Sequence, residues 1–191
     1  PQSSATTTAS VYDRVEAALI ASDWRPELRK IDDYHDDAHY IAAVAGSLAP
    51  ALQDGRAHLL FSFHGLPQRY MDDGDPYEKQ CRTSAERVVR ELGLPAARWS
   101  LSFQSRVGRA RWLQPYTEER LAELAAGGVR HLVVACPGFS VDCLETLEEI
   151  AMRGRDTFLA AGGQRFEYVP ALNDSAAHAD CLAALIVART T

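Results

Sequence analysis

HLLFSFHGLP, residues 58–67, is the stretch on which the fold turns. Residues 58–63 form a continuous apolar run of strand length rather than an alternating one. A run of that kind suits a strand covered on both faces, as in a parallel sheet. At its end the strand hands His64 to Gly65 and, two residues on, to Pro67, so the chain turns directly after an imidazole. Working outward, RWSLSFQS (98–105), VRHLVVACPGF (129–139) and RFEYVPALN (165–173) read as further strands. Helical patterns lie between them. Strands alternating with helices predict a doubly wound open α/β domain, Rossmann-like, with a parallel sheet and helices on both faces. In such sheets ligands bind beyond the carboxyl ends of the strands, which is where His64 falls.

The helical segments carry their own punctuation. VYDRVEAALIAS places Val11, Val15, Ala18 and Leu19 on one helical face, after a Ser/Thr cluster able to cap it. The following RPELRKIDDY (25–34) is expected to hold an edge strand. A second helix turns Ile41, Val44, Ala45 and Leu48 inward, and a third ends at Gly93 as its C′ residue. Residues 106–116 read as irregular. Thr117 is expected to cap the helix TEERLAELAAGG. Asp142 and Glu145 read as N-cap and N3 of a capping-box variant, opening a helix that Gly162 and Gly163 close.

Composition sets outer bounds. A chain of 191 residues with 47% hydrophobic and 24% charged residues fits one soluble domain with a sizeable core. A net charge of −6 argues against general affinity for nucleic acid or anionic lipid. The four cysteines, Cys81, Cys136, Cys143 and Cys181, form no C-x-x-C pair, which suits a reducing compartment. No apolar run is long enough to span a bilayer and no signal peptide precedes the first helix, so the expected location is the cytoplasm. The opening PQSSATTTAS lacks a methionine and reads as a truncated or processed start. G-x-S-x-G, P-loop and G-x-G-x-x-G patterns are absent, which removes the commonest hydrolase, NTPase and dinucleotide readings.

His64 can exchange a proton near neutral pH, bind a metal, or simply cap its turn through backbone carbonyls. Glu145 is explained structurally by the capping box. An ionised carboxylate in a first helical turn is also a good hard ligand for a divalent ion. Glu148 and Glu149 read as solvated. Trp112 and Phe139 lie in loops, where aromatics pack the core edge or line a slot for a flat ligand. His35 and His39, spaced i and i+4 among Asp32, Asp33, Asp36 and Asp37, read as an acidic helix start facing water rather than a metal site. MDDGDPY (71–77) reads as a turn and not a calcium loop.

Taken together, the PQSSATTTAS start, LLFSFHGLPQRY, GDPYEKQCRTS, FQSRVGRARWLQPYT, CPGFSVDCLETLEEI and YVPALND resemble ferrochelatase of the Gram-negative bacterial type, in order and spacing along essentially the whole chain. The resemblance implies a chelatase-like fold and insertion of ferrous iron into protoporphyrin IX, giving protohaem in the last step of haem synthesis. It implies catalytic and metal-handling roles for His64 and Glu145, and porphyrin contacts by Trp112, Phe139, Gln104 and Ser105. Asp142 matches an acid beside the family's glutamate, Cys143 stands where some members carry histidine, and Ser3 departs from the family's usual aromatic. Iron is implied as substrate, with no tightly bound cofactor. The cysteine spacing argues against a [2Fe–2S] cluster.

Residues 1–191 resemble the second domain of the family, with 1–20 as the connection into it and the first domain absent. With one wall of the porphyrin cleft, the chain is expected to be weakly active or inactive alone and to expose a face open to self-association. Three other functions remain open: a cobalt or nickel chelatase of a related tetrapyrrole pathway, a non-catalytic porphyrin- or haem-binding module, and a purely structural α/β domain.

Overall fold

A computed structural model describes residues 1–190. Four parallel strands carry it: β1 His58–His64, β2 Trp99–Gln104, β3 His131–Ala135 and β4 Arg165–Val169. Their spatial order is β2-β1-β3-β4. Register pairs His64 with Gln104 at one end and His58 with Leu132 near the other. The chain leaves β1 toward β2 on one side and returns to β3 on the other. The crevice beyond the carboxyl ends of β1 and β3 is therefore a topological switch point.

Helices cover both faces. The first layer holds α2 (Ala38–Leu52), α4 (Tyr77–Glu91) and α7 (Ala176–Thr190), whose apolar residues meet Leu59, Phe61, Phe63, Phe103 and Val133. On the second, α5 (Thr117–Ala126), a π-helix (Glu145–Gly154) and α6 (Arg155–Ala160) bury Leu121, Leu124, Ile150 and Phe158 against Leu60, Leu132 and Val134. Successive residues of β1 and β3 thus feed opposite cores, which is why apolar residues fall on both faces of those strands. The doubly wound α/β reading holds. A short α3 (Gln68–Asp72) follows the β1 turn.

Several local expectations give way to tertiary contacts. The helix α1 (Ser10–Ala21) forms but buries nothing, and Val11 is 58% exposed, so its apolar stripe is not a core face. Residues 25–34 form no strand. Residues 1–4 instead lie along α4, with the Gln2 amide donating to Ser84 Oγ at 2.9 Å and the Ser3 amide to Gln80 Oε1 at 2.6 Å. Thr117 does not cap α5. Its buried hydroxyl joins Ser62 at 2.8 Å and Ser102 at 2.9 Å, because those two strand hydroxyls face an otherwise apolar layer and need partners. His35 lies in a turn before α2, so it shares no helix face with His39. Its Nδ1 meets Asp33 at 2.5 Å, the other Asp33 oxygen accepts from Gln80 Nε2 at 3.1 Å, Asp36 pairs with Arg87 at 3.0 Å, and Asp37 caps α2.

Candidate active site

His64 closes β1, half-buried, at the switch point. Its Nδ1 lies 2.7 Å from the Gly65 carbonyl, so Nδ1 carries the proton and Nε2 remains the basic nitrogen. The Tyr77 hydroxyl donates to the His64 carbonyl at 3.0 Å and fixes the strand end from below. Gly65 cannot carry a side chain here. An added Cβ would lie 2.8 Å from the Gln104 carbonyl and 3.1 Å from Trp112 Cε3. The glycine lets the turn pass under the indole.

Trp112 reaches the same turn through a short antiparallel bridge with Pro67. The Leu113 amide donates to the Leu66 carbonyl and the Gln68 amide to the Arg111 carbonyl, both at 2.9 Å. The segment read as irregular is thereby pinned beside His64. The indole Nε1 is buried without an acceptor. Phe139, in the loop after β3, places its ring centroid 6.3 Å from that of His64, at 54°. That loop is held by the Tyr40 hydroxyl, which donates to the Pro137 carbonyl at 2.6 Å.

Glu145 opens the π-helix, which replaces the expected continuous α-helix in this segment. The capping-box reading is incorrect in its partners. Asp142 does not bond the helix amide. It accepts instead from the Tyr168 hydroxyl at 2.6 Å, Asn173 Nδ2 at 2.8 Å, the Thr146 hydroxyl at 3.0 Å and the Ala171 amide at 3.2 Å. Burial would raise its carboxyl, but these bonds hold it below the ordinary carboxylate value. Asp142 thus ties the helix start to the loop after β4, and Glu145 keeps its carboxylate for the crevice.

Glu145 itself sits below its ordinary value, through the neighbouring Cys143 thiol, its own backbone amide and, against a small burial effect, the positive charge available to His64. It is the ionised partner of the site. The π-winding offers more open spacing than an α-turn, and such segments recur at functional sites.

Gln104 and Ser105, expected to touch a ligand, are occupied otherwise. Gln104 is 2% exposed. Its Oε1 accepts from the Ser62 hydroxyl at 2.7 Å and the Cys136 thiol at 3.5 Å, and its Nε2 donates to the Glu145 carbonyl at 2.7 Å. The amide therefore joins the His64 strand to the Glu145 helix. Ser105, at a φ of 64°, donates from its amide at 2.7 Å and its hydroxyl at 2.6 Å to the Glu149 carboxylate. Glu149 is consequently not a free solvated acid, while Glu148 pairs with Arg153 at 2.7 Å. Glu145, Glu148 and Glu149 all line a cleft of about 410 Å³.

The structure sets Phe139 beside His64, Trp112 against the His64 turn, and Glu145 within electrostatic reach of the imidazole. Sequence reasoning missed Tyr40, Tyr77 and the bridging use of Gln104. Nothing local marks them, because each acts on a residue far away along the chain.

Comparison with known proteins agrees with this geometry. The ferrochelatase family model matches residues 1–190. A ferrochelatase of Methylococcus capsulatus is 51% identical over 190 residues, covering 97% of this chain and 58% of the relative. One of Nitrosococcus oceani is 47% identical over 188 residues, covering 97% and 51%, and one of Aeromonas hydrophila is 49% identical, covering 97% and 58%. The chain therefore spans about half to three fifths of the length of these curated relatives. Among the described residues no helix is long and apolar enough to cross a membrane. With a match along its whole described length, the chain belongs to the ferrochelatase family.

Proposed function

We propose that the protein carrying this chain inserts ferrous iron into protoporphyrin IX, with His64 as proton acceptor and Glu145 as the carboxylate that handles the metal. The observation that carries the reading is the pairing at the switch point. An imidazole whose Nδ1 is committed to Gly65 offers Nε2 as a base, beside a carboxylate held ionised. Insertion removes two pyrrole protons and adds a dication, so it needs a base near the ring N–H and a weak, exchangeable oxygen ligand for iron(II). Phe139 and Trp112 supply flat apolar surface on which a porphyrin can lie, and Gln104 keeps Glu145 in place from behind. Binding energy from that surface can be spent on bending the stiff ring.

The reading includes a second wall contributed by chain outside residues 1–191. It also takes the exposed stripe of α1, with Val11 and Val15, as the surface through which the isolated chain self-associates.

The test replaces His64 with Ala and Glu145 with Gln in the full-length protein and follows loss of porphyrin fluorescence with ferrous iron under anaerobic conditions. Each change should lower turnover by about 100-fold or more, the usual worth of a positioned acid or base. Unfolding midpoints should stay close to the parent's, since both side chains are partly exposed. Near-normal turnover in either variant would remove that residue from the mechanism. Tight porphyrin binding without turnover in the parent would replace the enzyme with a binding module. Preference for cobalt or nickel and a sirohydrochlorin-type ring would move it to a related chelatase.

A further inference from the structure

The end of the sheet opposite His64 carries a second, chemically distinct cleft of about 620 Å³. Each strand supplies a basic residue at its start. His58 begins β1, His131 begins β3, Arg165 begins β4, and Arg98 immediately precedes β2. Arg56 and Arg130, from the loops entering β1 and β3, complete the lining. In a chain of net charge −6 this is a marked local reversal, with Asp54 the one acidic side chain among those lining the cleft.

Of the four guanidiniums only that of Arg165 is ion-paired. Arg98 donates twice to the Ala57 carbonyl, at 3.2 and 2.9 Å, and Arg130 donates to the Ala125 carbonyl at 2.8 Å. Arg165 has an exposed ion pair with Glu167 at 2.9 Å. The Arg56 side chain has neither an ion pair nor a hydrogen bond among the described residues. Asp54, half-exposed, is engaged by His131 Nδ1 at 3.2 Å. Capping of helix C-termini accounts for part of this arrangement, since Ala125 lies in the last turn of α5. A helix end carries about half a negative charge that fades within one turn, too little to balance several full cations.

We propose that this cleft binds a phosphoryl oxyanion, such as a diphosphate or phosphoester, through Arg56, Arg98, Arg130 and Arg165. Guanidinium forks match phosphoryl oxygens in pairs, and several forks around one concavity favour a multiply charged anion over a single carboxylate. The volume exceeds that of one phosphate. The basic field is felt within the cleft wall. His58 is pushed down to about 4, first by burial and then by Arg120 and Arg98, so it is a neutral imidazole lining the cleft. In the same wall the 9%-exposed His131 side chain has its Nε2 buried without a partner. A ring rotation would offer that nitrogen to a bound oxyanion. The site is independent of the chemistry at His64.

The experiment titrates the full-length protein with inorganic pyrophosphate by calorimetry, ionic strength being fixed with chloride. A second arm floats the protein with phosphatidylcholine vesicles containing or lacking phosphatidylglycerol. Both arms are repeated with R56Q/R165Q, whose side chains are exposed, and with R130Q. Saturable pyrophosphate binding is expected, with a dissociation constant raised about tenfold or more in R56Q/R165Q at an unchanged unfolding midpoint. Flotation that depends on phosphatidylglycerol and is lost in R56Q/R165Q, without pyrophosphate binding, would assign the same phosphoryl chemistry to a lipid headgroup. Absence of saturable binding in both arms would overturn the proposal, and so would binding that neither R56Q/R165Q nor R130Q weakens.

Discussion

Replacing Gln104 with Leu tests whether a buried amide fixes Glu145. The two side chains are close in volume, so the change opens no cavity and isolates the polar loss. Three contacts go: Ser62 Oγ at 2.7 Å, Cys136 Sγ at 3.5 Å and the Glu145 carbonyl at 2.7 Å. Their losses are unequal. Ser62 keeps Thr117 at 2.8 Å, and a thiol is a weak donor. The Glu145 carbonyl begins a π-helix and retains its place in the helical ladder, so it is weakened rather than orphaned. Counting roughly 0.5–1.5 kcal/mol for each of two full hydrogen bonds gives about 2 kcal/mol of destabilisation. For a chain of this size that corresponds to a midpoint lowered by about 4–8 °C. Urea unfolding followed by circular dichroism gives the free energy, and an unchanged m-value shows that the same surface is exposed. In the full-length protein, kcat should fall while KM for porphyrin changes little, because the amide touches Glu145 and not the ring. A loss below about 0.5 kcal/mol together with an unchanged kcat would refute the positioning argument.

Asp142→Asn removes a carboxylate that accepts from four groups and sets an NH2 either against the Asn173 donor on one oxygen or against the Tyr168, Thr146 and Ala171 donors on the other, so it should cost about 2 kcal/mol after allowance for partial exposure. Because the folded carboxyl lies below the ordinary 3.8, its stabilisation is complete above that value and fades as pH falls through the folded one. The parent should therefore lose more stability on acidification below about pH 5 than Asp142→Asn, and parallel acid-unfolding curves would contradict this. Gly65→Ala should destabilise by about 1–3 kcal/mol, since its Cβ would meet backbone oxygen at 2.8 Å, and thermal unfolding reads it directly. Residues 1–191 produced alone should show little or no chelatase activity, because a half-open site weakens every electrostatic contact. A rate close to that of the full-length protein would show that a second wall is dispensable.

What the sequence determined by itself was the layered α/β frame and the place of its chemistry. Residues 58–63 and 131–135 carry apolar residues on both faces, without alternation, because both faces of a central parallel strand are covered, and that signal is local. His64 followed by Gly65 marks the strand end in the same local way. Tertiary structure alone decided what the polar residues do. Val11 and Val15 have the spacing of a core face, yet α1 exposes them, since periodicity records an apolar stripe and not whether anything packs on it. Asp142 and Glu145 have the spacing of a capping box, but four donors, three of them more than 25 residues away along the chain, outcompete one helix amide for Asp142. Thr117 left its cap for two buried strand hydroxyls. Gln104 serves Glu145 across 41 residues, and Tyr40 serves Pro137 across 97. A hydrogen bond of that span depends on where folding brings its partner, and nothing in the neighbouring residues encodes it.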